Sequence, residues 1–133
     1  ITLFYAVIDV ESGRLLYANA GHPPPLLMRV SGDIIQLPSY DQQPPIGVYS
    51  EIDYVTRELG LNPGDTLICY TDGVIEARRC GKQFGIEGLV QIASESFGSS
   101  PSRIVRVIYD AVRDFSGGRL QDDIAIVVAR YED

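Results

Sequence analysis

Short apolar runs alternate with turn residues through the first half of the chain, and one more run lies near its end. The turn Glu11-Ser12-Gly13 separates the first two runs, as in a β-hairpin. The same pattern predicts a second hairpin from the third and fourth runs and a third from the fifth and sixth. The predicted strands cover residues 3–10, 14–20, 26–30, 34–37, 52–59, 66–70 and 124–131.

Apolar residues recur at helical spacing between these strands, in the last third of the chain. A helix is predicted over residues 102–115, with Ser100 as its N-cap, Pro101 in its first turn and Gly117-Gly118 ending it. A second helix is predicted over residues 86–96, and a short helical turn over 73–79. The side chains expected to face inward are Ile104, Ile108, Ala111, Val112 and Phe115 of the first helix, and Leu89, Val90, Ala93 and Phe97 of the second.

Several predicted strands are apolar without alternation, which indicates that both of their faces are covered. These are residues 3–8, 67–70 and 124–129. Two stacked, mainly antiparallel sheets with helices outside would cover them. We therefore predict an α+β sandwich rather than an all-β barrel or a doubly wound sheet.

Length and charge narrow the functional classes. A chain of 133 residues is the size of one domain with one real core. Its net charge of -7 repels nucleic acid and anionic lipid, so we expect no nucleic-acid partner. No apolar run approaches the roughly 20 residues needed to cross a bilayer, so we expect no membrane insertion.

The cysteines and the first residues give two further expectations. Cys69 and Cys80 form neither a CxxC pattern nor a disulfide framework, which favours a reducing cytoplasm. The chain starts without methionine, in what reads as a buried strand from Ile1. We therefore expect residues 1–133 to be a single domain that lacks its N-terminal part.

Two acidic segments carry the candidate chemistry. Asp72 follows the apolar run 66–69 and precedes Gly73, while Asp122-Asp123 precedes the run 124–129. Each segment alone is more often a turn or a solvated loop. Together they favour a cation site, because adjacent like charges beside a buried strand are costly unless a cation neutralises them. Two Mn2+ or Mg2+ ions about 4 Å apart could activate a water for attack on a phosphoryl group.

Other catalytic constellations are missing from the sequence. The single histidine, His22, is more simply interpreted as a hydrogen-bonding residue that fixes its loop. No Cys/His or Ser/His/Asp set is evident, and neither a GxxxxGK[ST] nor a GxGxxG phosphate loop occurs. Zinc is disfavoured because soft ligands are few.

Six short motifs are spread over nearly the whole chain: residues 2–6 (TLFYA), 19–24 (NAGHPP), 61–65 (LNPGD), 70–77 (YTDGVIEA), 84–87 (FGIE) and 122–124 (DDI). Their order and spacing are more specific than any one of them. In these motifs the chain resembles the bacterial PP2C-like (PPM) serine/threonine phosphatases of the sporulation stage II protein E and RsbU type.

The resemblance implies an αββα sandwich fold. It also implies an enzymatic activity that depends on two Mn2+ or Mg2+ ions. The implied reaction removes phosphate from phosphoserine or phosphothreonine on a regulatory protein, usually a STAS-fold anti-sigma factor antagonist. By position, Asp72 and Asp122 correspond to metal ligands and catalytic residues, and Asp123 to a neighbour that supports them. Gly73 belongs to the same metal motif through its backbone shape. A homodimer formed through missing N-terminal regions is compatible with this family.

Two departures from the family pattern matter. Ala125 stands where the family usually has Thr, so one local hydrogen bond is expected to be lost. The family's first metal motif, of the Asp-x-x-Gly-His-Gly type, would lie upstream of Ile1. We therefore expect this chain alone to bind Mn2+ poorly and to turn over slowly or not at all.

Two alternatives remain open from the sequence. One is a non-catalytic, phosphatase-like module that binds a regulatory partner or senses a signal. The other takes Asp72 as a haloacid dehalogenase nucleophile, since that family also ends a strand in Asp-Gly-Val. It is disfavoured because Tyr70 stands where such enzymes need a second Asp, and because they need a doubly wound fold.

Overall fold

Two antiparallel sheets, a small hairpin and three helices make up the described part of the chain. The computed structural model describes residues 1–38 and 43–132. The strands are β1 Leu3–Asp9, β2 Arg14–Ala20, β3 Leu26–Met28, β4 Ile34–Gln36, β5 Arg57–Gly60, β6 Thr66–Tyr70, β7 Arg78–Arg79, β8 Lys82–Gln83 and β9 Ile126–Arg130. The helices are α1 Asp72–Ile75, α2 Gly85–Glu95 and α3 Pro101–Phe115. No helix among these residues is long and apolar enough to cross a membrane.

The strand order confirms two predicted hairpins and corrects the third. The first sheet has the order β1-β2-β5 and the second β4-β3-β6-β9, and the β1–β2 and β3–β4 hairpins form as predicted. The predicted pairing of residues 52–59 with 66–70 is wrong, because β5 pairs with β2 while β6 pairs with β3 and β9. The chain changes sheets between them, where the Leu61 N–H donates to the Gly13 carbonyl.

Two apolar clusters hold the layers together, and the second sheet contributes to both. Leu15 and Tyr17 of the first sheet pack with Leu27 and Leu67 of the second, which stacks the two sheets. The opposite face of the second sheet packs against the helices. That cluster includes Leu26, Met28, Ile68, Tyr70, Val74, Leu89, Ala93, Ile104, Ile108 and Val112. The layer order is therefore sheet, sheet, helices, and the predicted α+β class with two stacked sheets is confirmed.

The prediction that strand residues 3–8 and 124–129 are covered on both faces is wrong for the described residues. In β1, burial alternates, and Leu3, Tyr5 and Val7 point to a face that stays exposed, with Tyr5 62% accessible. The helices of the described chain pack only on the second sheet, so nothing there covers this outer face. On the edge strand β9, Val127 is exposed in the same way.

Both long helices form close to their predicted positions. Ser100 caps α3, accepting a hydrogen bond from the Arg103 backbone N–H at 3.4 Å. Phe97 was expected to face inward but is half exposed, because α2 ends before it. The helical turn predicted over residues 73–79 is also wrong in its second half. Helix α1 ends at Ile75, and Arg78–Arg79 belong to a strand.

Candidate active site

The two acidic segments meet because their strands are neighbours in the second sheet. Strands β6 and β9 run antiparallel with Tyr70 opposite Ile126. Asp72 begins α1 just after β6 ends, and Asp122-Asp123 lie just before β9 begins. An antiparallel ladder brings the end of one strand beside the start of the other. The segments are therefore adjacent in space although about fifty residues separate them.

Gly73 is the point of closest approach between the two segments. It is buried, and a Cβ built there would lie 2.5 Å from the Asp123 carbonyl oxygen and 3.4 Å from the Asp122 Cβ. No real side chain occupies so short a distance to a backbone oxygen. The hydrogen atom of glycine is thus what lets α1 pack against the 122–123 segment.

Thr71 ties the segments together by hydrogen bonds. Its hydroxyl donates to the Asp123 carbonyl at 3.2 Å and accepts from the Ala125 N–H at 3.0 Å. The Thr71 N–H also donates to the Ala125 carbonyl. Thr71 is not among the site residues predicted from the sequence, although it stands directly before Asp72. The presence of Ala125 instead of the family's Thr does not affect these hydrogen bonds with Thr71, because they use only the backbone N–H and carbonyl of Ala125.

The carboxylates of Asp72 and Asp122 are each positioned by a nearby backbone group. The Gly73 N–H donates to Asp72 Oδ1 at 3.0 Å, and the Asp123 N–H donates to Asp122 Oδ1 at 2.8 Å. Asp72, Asp122 and Asp123 are all exposed. The other carboxylate oxygens of Asp72 and Asp122 accept no hydrogen bond from the described residues. These are hard oxygen donors of the type that Mg2+ and Mn2+ prefer.

The described residues do not by themselves form a complete metal site. Within residues 1–38 and 43–132, no three His, Cys, Asp or Glu side chains come together as a group that could hold a metal ion. Two carboxylates can still serve hard cations that keep several water ligands. The donor chemistry therefore fits Mn2+ or Mg2+, with other ligands needed to complete the coordination.

A cavity of about 530 Å³ opens beside Asp72. One wall is the loop that holds His22, Pro23 and Pro24, and a second is formed around Pro44, Pro45 and Val55. The third wall comes from α1 and its flanks, with Thr71, Asp72, Ile75 and Glu76. Its lining is rich in proline, also includes the polar side chains of Asn19, Gln43 and Arg57, and carries the carboxylates of Asp72 and Glu76.

The His22 loop is fixed to the sheet, but not by the histidine ring. The Asn19 side chain donates to the His22 carbonyl and accepts from the His22 N–H, both at 2.9 Å. The Tyr70 hydroxyl donates to the Pro24 carbonyl at 2.9 Å, and burial raises the pKa of Tyr70 to about 12. The interpretation of His22 as a residue that fixes its loop by hydrogen bonds thus holds for its backbone groups, and His22 also lines the cavity.

Asp65, from the 61–65 motif, stabilises the fold rather than lining this cavity. Its side chain is fully buried and pairs with Arg29 at 2.7 Å. Burial alone would raise the pKa of Asp65. Hydrogen bonds from the N–H groups of Asn62 and Val30 and from Arg29 outweigh it, so the pKa is lowered.

The fold removes one alternative. A haloacid dehalogenase needs its Asp on a strand of a doubly wound parallel sheet. Every ladder among the described strands is antiparallel, and this alternative is therefore wrong.

Comparison with known proteins gives relatives that match nearly the whole chain. The profile of the stage II sporulation protein E (SpoIIE) family matches residues 1–132. Protein IcfG of Synechocystis sp. is 34% identical over 131 residues, and the phosphoserine phosphatase RsbU of Bacillus subtilis is 28% identical over 133 residues. Each alignment covers 98% of this chain but only 20% of IcfG and 38% of RsbU.

Solved structures share the fold. The PP2C phosphatase domain of Bacillus subtilis SpoIIE, with a fragment of its regulatory domain, superposes with a TM-score of 0.85 at 22% identity, covering 98% of this chain and 38% of that one. The catalytic domain of the serine/threonine phosphatase PstP, in complex with two manganese ions, gives a TM-score of 0.65 at 15% identity, covering 99% of this chain and 59% of that one.

The match over residues 1–132 and the shared fold lead to one conclusion. This chain belongs to the stage II sporulation protein E family, whose phosphatase domains have the PP2C-type fold.

Proposed function

We propose that this chain carries part of the active site of a metal-dependent phosphatase that hydrolyses phosphoserine or phosphothreonine on a regulatory protein. The main support is the meeting of two carboxylate segments, through Gly73 and Thr71, at the edge of a cavity. Family membership and the similarity to the phosphoserine phosphatase RsbU support the reaction type.

Asp72 and Asp122 are the proposed metal ligands and catalytic residues. When bound there, Mn2+ or Mg2+ would activate a water and neutralise charge on the phosphoryl group. Gly73 and Thr71 set the distance between the two segments, and the Asp123 N–H orients the Asp122 carboxylate. Asp123 itself is proposed as a supporting residue beside the ligands.

The cavity beside Asp72 is the proposed site for residues that flank the phosphorylated side chain. Its proline-rich walls offer apolar contact without much loss of side-chain entropy on binding. For the substrate we propose a phosphorylated STAS-fold protein of a sigma factor pathway. We also propose a cytoplasmic location, which the free thiols of Cys69 and Cys80 support.

The test is hydrolysis of a phosphoseryl peptide at millimolar Mn2+, by residues 1–133 and by the longest natural chain that contains them. Asp72→Asn and Asp122→Asn should each lower kcat/KM by about a hundredfold or more, and Asp123→Asn by about tenfold. Asp114→Asn, an exposed carboxylate on α3, is the matched control and should leave the rate unchanged. Equal activity of wild type and Asp72→Asn in the longer chain would refute the assignment.

Metal binding gives a second readout where turnover is slow. Mn2+ titration followed by electron paramagnetic resonance should show weak binding to residues 1–133, and weaker binding to Asp72→Asn. Robust turnover by residues 1–133 alone would contradict the expectation that a further ligand segment is needed.

A non-catalytic binding module is the second candidate. The observation that favours it is the lack of a third metal-binding side chain near Asp72 and Asp122 within residues 1–38 and 43–132. If the longer natural chain also fails to hydrolyse phosphoseryl peptide at any Mn2+ concentration, yet binds the phosphopeptide, the module is the better description.

A further inference from the structure

A basic hairpin projects from the chain directly after the candidate active-site helix. Strands β7 and β8 pair with Arg78 opposite Gln83 and Arg79 opposite Lys82. Cys80 and Gly81 form the two-residue turn with φ of 50° and 78°, as in the type I′ turns that favour tight hairpins. A Cβ at Gly81 would meet nothing within 4 Å, so the tip stands clear of the rest of the described chain.

Three cations lie close together on this hairpin. Arg78, Arg79 and Lys82 are exposed and form no ion pair with any described residue. Arg79 and Lys82 also lie directly opposite each other, and like charges in that position destabilise a ladder. An anion bound between them would remove this repulsion. By contrast, Arg14, Arg29 and Arg113 elsewhere in the chain pair with carboxylates.

The hairpin is held firmly at its base. The Phe84 N–H donates to the Ala77 carbonyl at 2.8 Å, which closes the hairpin. The Phe84 ring packs edge-on against Phe115 of α3, with ring centroids 5.5 Å apart, and Ala77 is buried. Its cations are therefore presented at a fixed place relative to the helical layer.

The base of the hairpin lies close to the cavity beside Asp72, although residues 78–83 do not line it. Ile75 and Glu76 line the cavity, and Arg78 follows only two residues later. Two residues of chain span at most about 7 Å between Cα atoms. A peptide that binds with its phosphorylated residue toward Asp72 and continues past Glu76 would thus come near Arg78, at the start of the hairpin.

We propose that the hairpin of residues 78–83 docks an acidic segment that flanks the phosphorylated residue of the protein substrate. The proposal rests on the proposed phosphatase function. The chain as a whole carries a charge of -7 and repels an acidic phosphoprotein, so this local cluster gives it a favourable approach beside the site. A short acidic peptide meets only the cluster, whereas an anionic membrane or a nucleic acid would also face the net negative surface.

The test uses phosphoseryl peptides that differ only in flanking charge: one with glutamates, one with alanines and one with lysines. The variant reverses all three cations, Arg78→Glu, Arg79→Glu and Lys82→Glu. The control, Arg103→Glu with Arg106→Glu and Arg119→Glu, changes the net charge equally at exposed positions of α3 and beyond. Fluorescence anisotropy measures peptide binding without turnover, and kcat/KM is measured with Mn2+ in the longest natural chain.

Wild type and control should prefer the glutamate peptide over the alanine peptide by about tenfold, and the preference should shrink with added salt. The hairpin variant should lose that preference and gain one for the lysine peptide, a reversal that misfolding does not produce. Its hydrolysis of p-nitrophenyl phosphate should match wild type, since that substrate has no flanking segment.

Three results would overturn the proposal. Unchanged peptide preference in the hairpin variant would remove the hairpin from substrate docking. Loss of the preference for the glutamate peptide in the control variant as well would show that net charge, rather than the hairpin, determines peptide binding. Hairpin-dependent binding to phosphatidylserine vesicles, with none to the glutamate peptide, would assign the cluster to membranes instead. Failure of the phosphatase function looks different, because p-nitrophenyl phosphate would then not be hydrolysed while anisotropy still reports docking.

Discussion

Gly73 packs against the Asp123 carbonyl so closely that a methyl group at position 73 would lie 2.5 Å from that oxygen. We expect Gly73→Ala to push the two aspartate segments apart. The cost should be about 1–3 kcal/mol in stability from overpacking. Phosphatase activity should fall by about a hundredfold if the segments shift by even 1 Å.

Gly60→Ala is the matched control, because a Cβ there meets nothing within 4 Å. Thermal unfolding and kcat/KM with Mn2+ measure the two effects. Wild-type activity in Gly73→Ala would show that the site does not depend on this approach.

The hydrogen bonds of the Thr71 hydroxyl give a second prediction, on the stability and activity that depend on the same two segments. Thr71→Val keeps the shape but removes the hydroxyl that bonds Asp123 and Ala125, so stability should fall by about 1–2 kcal/mol and activity with it. Thr71→Ser restores the hydroxyl and should restore both quantities. If Ser is as damaging as Val, packing of the methyl group matters rather than the hydrogen bonds.

Asp65 should govern acid stability. Asp65→Asn breaks the buried pair with Arg29 and should cost about 3–5 kcal/mol near neutral pH. The folded chain holds this proton less tightly than the unfolded chain, since the pKa is lowered. The carboxylate therefore stabilises the fold above about pH 4, and this stabilisation is lost as the pH falls through the lowered pKa.

Urea unfolding at neutral and acid pH measures this difference. The gap between wild type and Asp65→Asn should narrow on acidification. Glu58→Gln, which breaks the exposed pair with Arg14, is the control and should change stability little at either pH. A gap that widens in acid would reverse the sign assigned to Asp65.

The two cysteines should react with thiol reagents at different rates. Burial raises the pKa of Cys69 to about 11, whereas Cys80 is exposed on the hairpin turn. The raised pKa leaves Cys69 with little thiolate at pH 8, and burial slows access of the reagent further. Titration with a chromogenic disulfide should give one fast and one slow thiol, and Cys80→Ser should remove the fast one. A fast phase that survives would mean that Cys69 is accessible.

Local signals sufficed wherever pairing or capping is decided by neighbours in sequence. The β1–β2 turn at Gly13 and the cap of α3 at Ser100 both formed as predicted, because each is set within a few residues. The acidic segments could also be found, since Asp72 and Asp122 abut apolar runs that had to be strands. Their roles as ligands stay predictions, as does a segment preceding Ile1.

Long-range choices could not be predicted in the same way. Nothing near Arg57 says that β5 pairs with β2 rather than with the following strand, because that depends on which sheet has an open edge. The exposure of Tyr5 depends on which sheet the helices cover. The 78–83 hairpin was missed because its turn places Cys80 at positive φ, which few non-glycine residues adopt.

The second sheet gives Leu26 to the helix-side cluster and Leu27 to the inter-sheet cluster, on opposite faces of one short strand. Because both clusters share this sheet, neither can be disrupted without exposing part of the other. Unfolding of the chain should therefore be a single cooperative transition. Asp72 follows β6 and Asp122 precedes β9, so both flank one ladder of that sheet and depend on it for their positions. Loss of the catalytic geometry and loss of the fold should therefore follow the same denaturant midpoint.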